Sequence, residues 1–386
     1  MHVARFLHKL IGCAIHKTRI IALSKVVESA IDTKILRLTA LGRGIEDIQE
    51  RSGIQKVNRL LGNKYLLDEK ILISKQIAEL LIADKTHPKI IVDWTKYPNS
   101  EDAVLRAALA VEGRALTIYE ERHPVKKMGN RAIQKKFLIT LKKLLPDCKA
   151  IIITDAGFHN DWFKEVLNQG WNYIGRIRGL KKYSTEGKKF YRCKSLFKRA
   201  TSHIKYVGPV ILTIKNSFKT NFYIVKGKLK GRKARTKSGK IKVDKDSKNY
   251  SRSHREPWLL ASSLKGRGVA KKIERIYKKR VTIEEAFRDL KSSRYGLSLS
   301  EGTTRKKSRR DILLLIGMLA SLIAWITGKI GEERRIHYQF QSNSIKHRRV
   351  VSLFYLGCQM IRKKINISTD SVWDIIDSIR EESIYE

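Results

Sequence analysis

Three acidic residues stand out for the chemistry they could share: Asp93, Asp155 and Glu284. Asp93 closes the apolar run Ile90-Ile91-Val92, and Asp155 follows Ala150-Ile151-Ile152-Ile153-Thr154. Such runs read as inner strands covered on both faces, and an Asp just past each lies at the carboxyl edge of a sheet, where open α/β folds gather ligands. If the two strands are neighbours, the carboxylates converge. A lone Asp after a strand is more often a turn or helix-cap residue, and it is the pair, in a strongly basic chain, that argues for a site. Oxygen-only donors suit hard cations such as Mg2+, and two such ions can serve the attacking and leaving oxygens of a phosphodiester displacement.

The third acid lies in the segment Tyr277-Lys278-Lys279-Arg280-Val281-Thr282-Ile283-Glu284-Glu285-Ala286-Phe287-Arg288-Asp289-Leu290-Lys291. Read as one helix at about 100° per residue, it puts Tyr277, Arg280, Glu284 and Lys291 within a stripe of roughly 60°. Ile276, Ile283, Phe287 and Leu290 form an apolar face elsewhere, and Glu285 points away from the stripe. Arg280 and Lys291 would then flank the glutamate as phosphate contacts. A solvated charged face held by ordinary i,i+4 pairs is the plainer alternative.

The charge of the chain narrows its partners. Its 386 residues carry 81 Lys and Arg against 37 Asp and Glu, a formal net charge of +44. A chain so charged repels itself unless it meets a polyanion. The charge is thickest from Arg176 to Arg255, with 26 cations against three acids, and a long basic surface suits a phosphate backbone better than a membrane. The apolar run Ile312 to Ile326 is shorter than the roughly 20 residues a span needs, so a buried core helix is expected. No basic leader with an apolar stretch and cleavage site opens the sequence, and Cys13, Cys148, Cys193 and Cys358 form no CxxC pair. A reducing, cytoplasmic setting is expected.

Patterning divides the chain. Residues 1–85 read as short helices in which Ile45, Ile48, Ile54, Val57, Leu60 and Leu61 pack while Arg43, Arg51, Lys56 and Arg59 face outward, a helical DNA-binding domain for which helix-turn-helix is the model, a helical cap with solvated charges being the plainer alternative. Strands follow at Ile90 to Val92, Ala103 to Ala110 and Ala115 to Tyr119, then a helix over Ala132 to Leu145. A strand ending before Asp155, a helix from Asn160 to Asn168 and a strand over Trp171 to Ile177 complete the order expected for the start of a ribonuclease H-like fold. His159, beside Asp155, reads as a helix-start residue rather than a metal ligand. The fold class is α/β, with a catalytic core in residues 86–178 and 257–330, a basic β-rich insertion in 179–256 and a helical C-terminal region in 331–386. Strand-like pieces at Val210 to Ile214 and Asn221 to Val225 precede a loop-like tract, Lys226 to Lys248.

The spacing Tyr277-x2-Arg280-x3-Glu284-x6-Lys291 resembles, at every interval, the signature of DDE transposases of the bacterial insertion-sequence-four family. Ile91-Val92-Asp93-Trp94 and Thr154-Asp155-Ala156-Gly157-Phe158 look like that family's two aspartate motifs. Asn58-Arg59-Leu60-Leu61-Gly62-Asn63 and Glu256-Pro257-Trp258-Leu259-Leu260-Ala261 are also similar, most of all to the insertion-sequence-ten type. The likeness runs from about Leu41 to Ile316.

The resemblance implies a ribonuclease H-like core interrupted before the glutamate helix, which agrees with 62 positions between the aspartates and 129 from Asp155 to Glu284. It implies cut-and-paste transposition through a hairpin at the transposon end, by a homodimer in a synaptic complex acting on double-stranded DNA, both terminal repeats and target. It also implies a bacterial, nucleoid-associated location. Asp93, Asp155 and Glu284 would hold two Mg2+ ions, with Mn2+ able to substitute. Tyr277, Arg280 and Lys291 would contact DNA, and Trp258 would stack on a base flipped from the duplex. Arg176, Arg178, Lys126, Lys127 and Arg59 are further phosphate-contact candidates from their charge and placement. A nuclease of the same fold, a domesticated DNA-binding protein and an RNA-binding protein are the rivals, the last without an aromatic RNP motif.

Overall fold

A computed structural model describes residues 3–83, 86–227, 240–241, 243–244, 247–248 and 256–381. Most of the expected loop tract Lys226 to Lys248 lies outside the described residues. The chain forms two compact units, Met1–Ala150 with Val281–Glu386, and Ile151–Arg280.

The first unit opens with α1 (Val3–Ile11), α2 (Lys17–Thr33), α3 (Leu38–Arg43), α4 (Glu50–Leu61), α5 (Lys64–Asp68) and α6 (Lys70–Ile82). Local chemistry sets several boundaries. His16 caps α2 by accepting from the Thr18 N–H, and Asn63 caps α5 by accepting from the Leu66 N–H at 2.9 Å. Of the expected packing residues, Ile45, Val57, Leu60 and Leu61 are buried, while Arg43, Arg51 and Arg59 are exposed.

Helices α3 and α4 cross in backbone contact. A Cβ on Gly42 would stand 2.5 Å from the Ile54 Cα, and one on Gly53 would stand 2.2 Å from the Gly42 carbonyl oxygen. Neither clash can be relieved by a rotamer change, since the obstructing atoms are main chain. Gly53→Val is therefore expected to force the helices apart and cost about 3 kcal/mol or more. Chemical denaturation checks it, and an unchanged midpoint would contradict the crossing.

Strands β1 (Lys89–Lys96), β2 (Asp102–Val111) and β3 (Arg114–Pro124) form an antiparallel meander in the order β3-β2-β1. Every residue of β2 is buried, as expected of a strand covered on both faces. Helix α7 (Arg131–Leu144) follows, capped by Asn130 through the Ile133 N–H.

The second unit contains β4 (Ile151–Thr154), α8 (Asn160–Asn168), β5 (Asn172–Ile177), β6 (Lys182–Ser184), β7 (Tyr191–Arg192), β8 (Lys205–Leu212), β9 (Phe218–Val225), β10 (Trp258–Ser262) and α9 (Val269–Lys278). Its strands run in the order β4-β5-β10-β9-β8-β6-β7. Strands β4 and β5 are parallel, joined across α8, and the remaining pairs are antiparallel. The strand-like pieces expected near residues 210 and 221 are thus β8 and β9, which begin earlier than their apolar cores suggest.

The chain returns to the first unit with α10 (Val281–Lys291), α11 (Lys307–Glu333), α12 (Leu353–Arg362) and α13 (Thr369–Glu381). Helix α11 has the length and apolarity of a membrane span, yet 89% of its most apolar 18-residue window is buried inside the protein. It is a core helix, longer at both ends than the apolar run that announces it.

Candidate active site

Asp93 is where β1 emerges from the core. The four residues before it are buried, and from Asp93 onward the strand is partly exposed. Its Oδ1 accepts from the Trp94 N–H at 2.8 Å. Directly across the antiparallel pair sits Arg106 of β2. The Arg106 guanidinium donates from Nε and Nη2 to Glu120 Oε2 at 2.9 and 2.6 Å, with the two side chains 4% and 0% exposed. Beyond that pair, the Lys70 ammonium donates to the Glu120 carbonyl oxygen at 3.1 Å.

Helix α10 is fastened across this sheet by three of its side chains. Arg114 of β3 donates from Nε to Asp289 Oδ2 at 2.5 Å. Burial raises the Asp289 pKa even though Arg114 pulls the other way. Phe287 lies under the Arg106 guanidinium, 4.8 Å from its ring centre. Lys291 donates to Thr95 Oγ1 at 2.5 Å and to the Lys96 carbonyl oxygen at 2.7 Å, just past Asp93 on β1. Burial lowers its pKa to about 8, helped by Arg106 and opposed by Asp93. Glu284 is exposed and precedes Lys291 by seven residues, two helical turns, so both share a face. Glu285 pairs instead with Arg288, consistent with its expected direction away from that face.

Asp155 belongs to the second unit. It follows β4 immediately, and its Oδ1 accepts from the Gly157 N–H at 2.7 Å, which closes a tight turn before α8. His159 takes the N-cap position of α8, the helix-start role expected of it. The next residue secures that helix. Asn160 donates through Nδ2 to the carbonyl oxygens of Leu212 and Asn216, at 3.1 and 2.7 Å, and to Thr213 Oγ1 at 2.9 Å.

The single helix expected from Tyr277 to Lys291 is instead two. Helix α9 ends at Lys278, Lys279 and Arg280 form a turn, and α10 begins at Val281. In the turn the Lys279 and Arg280 N–H groups reach back only three residues, to the carbonyls of Ile276 and Tyr277. Three consecutive cations followed by β-branched Val281, Thr282 and Ile283 make this the weakest stretch for helix propagation. Of the stripe drawn on an unbroken helix, Glu284 and Lys291 share α10, whereas Tyr277 belongs to α9 and Arg280 to the turn. Tyr277 is also no surface group: it is 2% exposed, with its ring 5.1 Å from that of Trp258 in an edge-to-face arrangement. Ile276, Ile283, Phe287 and Leu290, the residues expected to be apolar anchors, are all buried.

Within the second unit the structure gathers several predicted contact residues. Arg176 of β5 pairs in register with Leu260 of β10, and Trp258 opens that strand. Burial lowers the Arg176 pKa, an effect the nearby Tyr277 opposes and Arg178 and Arg280 reinforce. Arg178 is exposed just past β5. In the first unit, Lys126 and Lys127 are exposed on a short 3-10 turn after β3, and Arg59 is exposed on α4. Arg106, Glu120, Arg114 and Asp289 escaped the sequence reading. The available signal was Arg106, the only charge in the apolar stretch Ala103 to Val111.

Asp93 and Glu284 thus belong to one unit and Asp155 to the other. Among the described residues, no group of three or more His, Cys, Asp or Glu side chains is gathered so that it could hold a metal ion. The donor chemistry of the three carboxylates, all hard oxygens with one oxygen of Asp93 and of Asp155 oriented by a backbone N–H, fits a hard divalent cation and offers nothing to a soft metal.

Comparison with known proteins follows the same lines. A search of curated proteins finds no match. Among solved structures, the piggyBac transposase synaptic complex with hairpin DNA, determined by cryo-EM, aligns with 98% of this chain and 82% of its own at 12% identity and a TM-score of 0.43. The pattern of the transposase DDE domain matches residues 84–322, a stretch that contains Asp93, Asp155 and Glu284. Because that match spans more than half of the sequence, the chain belongs to the transposase DDE domain family.

Proposed function

We propose that the protein is a cut-and-paste DNA transposase of the insertion-sequence-four family, nearest the insertion-sequence-ten type, with a ribonuclease H-like core. The observation that carries this reading is the family match over residues 84–322 together with the placement of its acidic residues: Asp93 lies where β1 leaves its buried half, Asp155 directly follows buried β4, and Glu284 stands on a helix fixed across the sheet that bears Asp93. Asp93, Asp155 and Glu284 would hold two Mg2+ ions, which when bound activate a water or 3′-hydroxyl and stabilise the leaving oxygen.

The chain's own residues supply the positioning. Arg106 and Phe287 support β2 and α10 against each other, so the backbone carrying Asp93 and the helix carrying Glu284 share one buried anchor. Lys291 pins the end of α10 to β1, next to where the scissile phosphate would approach Asp93. Arg280, Arg176 and Arg178 give the second unit a cationic surface suited to the transposon backbone. A duplex with pre-cut ends separates transposition from plain nucleolysis: a transposase joins those ends to target DNA, and a nuclease of the same fold joins nothing.

The hairpin step makes a narrower demand. Bending a strand end back on itself unstacks a base, at a cost of a few kcal/mol that an aromatic platform offsets. Trp258 is partly exposed, with its edge set by Tyr277. Trp258→Ala is expected to spare the first nick and to impair hairpin formation, resolved on denaturing gels of end-labelled substrate. Equal loss of both steps would count against the stacking role.

A further inference from the structure

A groove of about 640 Å³ lies between α2 and α4 in the first unit, and neither Asp93 nor Glu284 lines it. Arg19 and Thr18 of α2 form one wall, and Arg51, Gln55, Lys56 and Arg59 of α4 form the other. Among the described residues lining it none carries a carboxylate. Arg19 is held rigid, because both its Nε and Nη2 donate to the Glu69 carboxylate outside the groove. By contrast Arg51, Lys56 and Arg59 make no ion pair among the described residues, and their charge is left for a ligand.

The faces of α4 divide cleanly. Gly53, Val57 and Leu61 are buried, and Gly53 meets Gly42 of α3 in backbone contact, so α3 is a rigid support behind the helix. Arg51, Gln55 and Arg59 recur at four-residue intervals and are exposed, forming a ridge on the opposite side. Lys56 is half-buried and sits deeper, toward α2. A short helix crossing behind a longer one with an exposed ridge is the arrangement by which helix-turn-helix proteins enter the major groove. Arginine and glutamine are the side chains that pair bidentately with guanine and adenine edges there.

We propose that α4 is the DNA-reading helix of this protein: the groove between α2 and α4 seats one phosphodiester strand against Lys56, with the carboxylate-paired Arg19 shaping the opposite wall, while Arg51, Gln55 and Arg59 read base edges in the adjoining major groove. This inference rests on the transposase reading for its ligand, duplex DNA, and goes beyond it by assigning base readout to three side chains. The two kinds of contact have different signatures. A phosphate contact weakens every duplex alike, whereas a base contact changes which duplex is preferred.

The test uses the full chain and a pool of duplex DNA with a randomised core, selected by binding and sequenced, alongside anisotropy titrations of one arbitrary duplex at several salt concentrations. Wild type should enrich a motif. Lys56→Ala should weaken binding to the arbitrary duplex on the order of tenfold and lower its salt slope by about 1 while enriching the same motif. Gln55→Ala/Arg59→Ala should alter or erase the motif. Gln55 and Arg59 are exposed and Lys56 is half-buried, and circular dichroism verifies the fold of each variant. The proposal is overturned if wild type enriches nothing, if the double variant enriches the wild-type motif, or if an RNA duplex competes as well as DNA. Asp93→Asn should select the wild-type motif whatever its cleavage activity, so failure of this inference is read apart from failure of the metal-site reading.

Discussion

Asp93→Asn yields a protein that still binds transposon-end duplex and no longer cuts it. The substitution preserves shape and the side-chain oxygen that accepts from the Trp94 N–H. It removes the negative charge that a divalent ion requires of that position. Loss of one metal ligand withdraws several kcal/mol of stabilisation from the developing charge, which at 1.36 kcal/mol per decade is a fall of at least about 10³-fold in end cleavage. Asp155→Asn and Glu284→Gln should fall by similar factors. Cleavage of a labelled end in Mg2+, measured beside binding of the same duplex, checks all three. If any one variant cuts at more than a tenth of the wild-type rate, that residue is not a metal ligand and the three-carboxylate reading fails.

The second large effect is on stability rather than chemistry. Arg106→Met removes the only charged partner, among the described residues, of a carboxylate that is 0% exposed and whose Oε1 already lacks a hydrogen bond. Stranding a buried charge in this way costs about 3–5 kcal/mol. Glu120 has no route to water, so the cost is not relieved by a rotamer change. The double change Arg106→Met/Glu120→Leu should recover most of the loss, because an apolar pair of similar volume replaces two desolvated ions. Urea denaturation of the three proteins gives the comparison. A single variant as stable as wild type, or a double variant no better than the single, would contradict the buried-pair account. Arg106→Lys keeps the charge but not the fork that holds Glu120 or the flat face over Phe287, and it should fall between wild type and Arg106→Met.

Much of this was legible in the residues. The strand ending before Asp155 follows from its apolar run, and β1, β2, β3, α7, β4, α8 and β5 occur in the expected order, but β1 does not stop before Asp93: its pairing with β2 carries it on to Lys96 through polar residues that an apolar run cannot mark. The burial of Ile276, Ile283, Phe287 and Leu290 follows equally from periodicity. The break at Lys279 and Arg280 did not, because a periodicity argument assumes constant rotation and cannot register two residues of turn. Tyr277 was read as polar by its hydroxyl, whereas its ring packs against Trp258, a contact set by β10, which lies distant in sequence. The clamp on α10 was illegible for the same reason: Arg114 and Asp289 are 175 positions apart, and nothing local marks either as the other's partner.

The insertion of the second unit into the first also orders the making of the molecule. The first unit is complete only when α10 to α13 join the helices and strands made before residue 150, and the 130 residues of Ile151–Arg280 are translated in between. At about 5–20 residues per second the ribosome spends roughly 7 to 26 seconds on them. Through that interval β2, destined to be covered on both faces, waits for the helices that cover one of them, and α11 then emerges as an apolar rod before α12, which packs against it in backbone contact, has been made. Such late closure of distant contacts slows folding and favours aggregation of unfinished chains. Nascent or C-terminally shortened copies should depend on chaperones far more than the finished protein does.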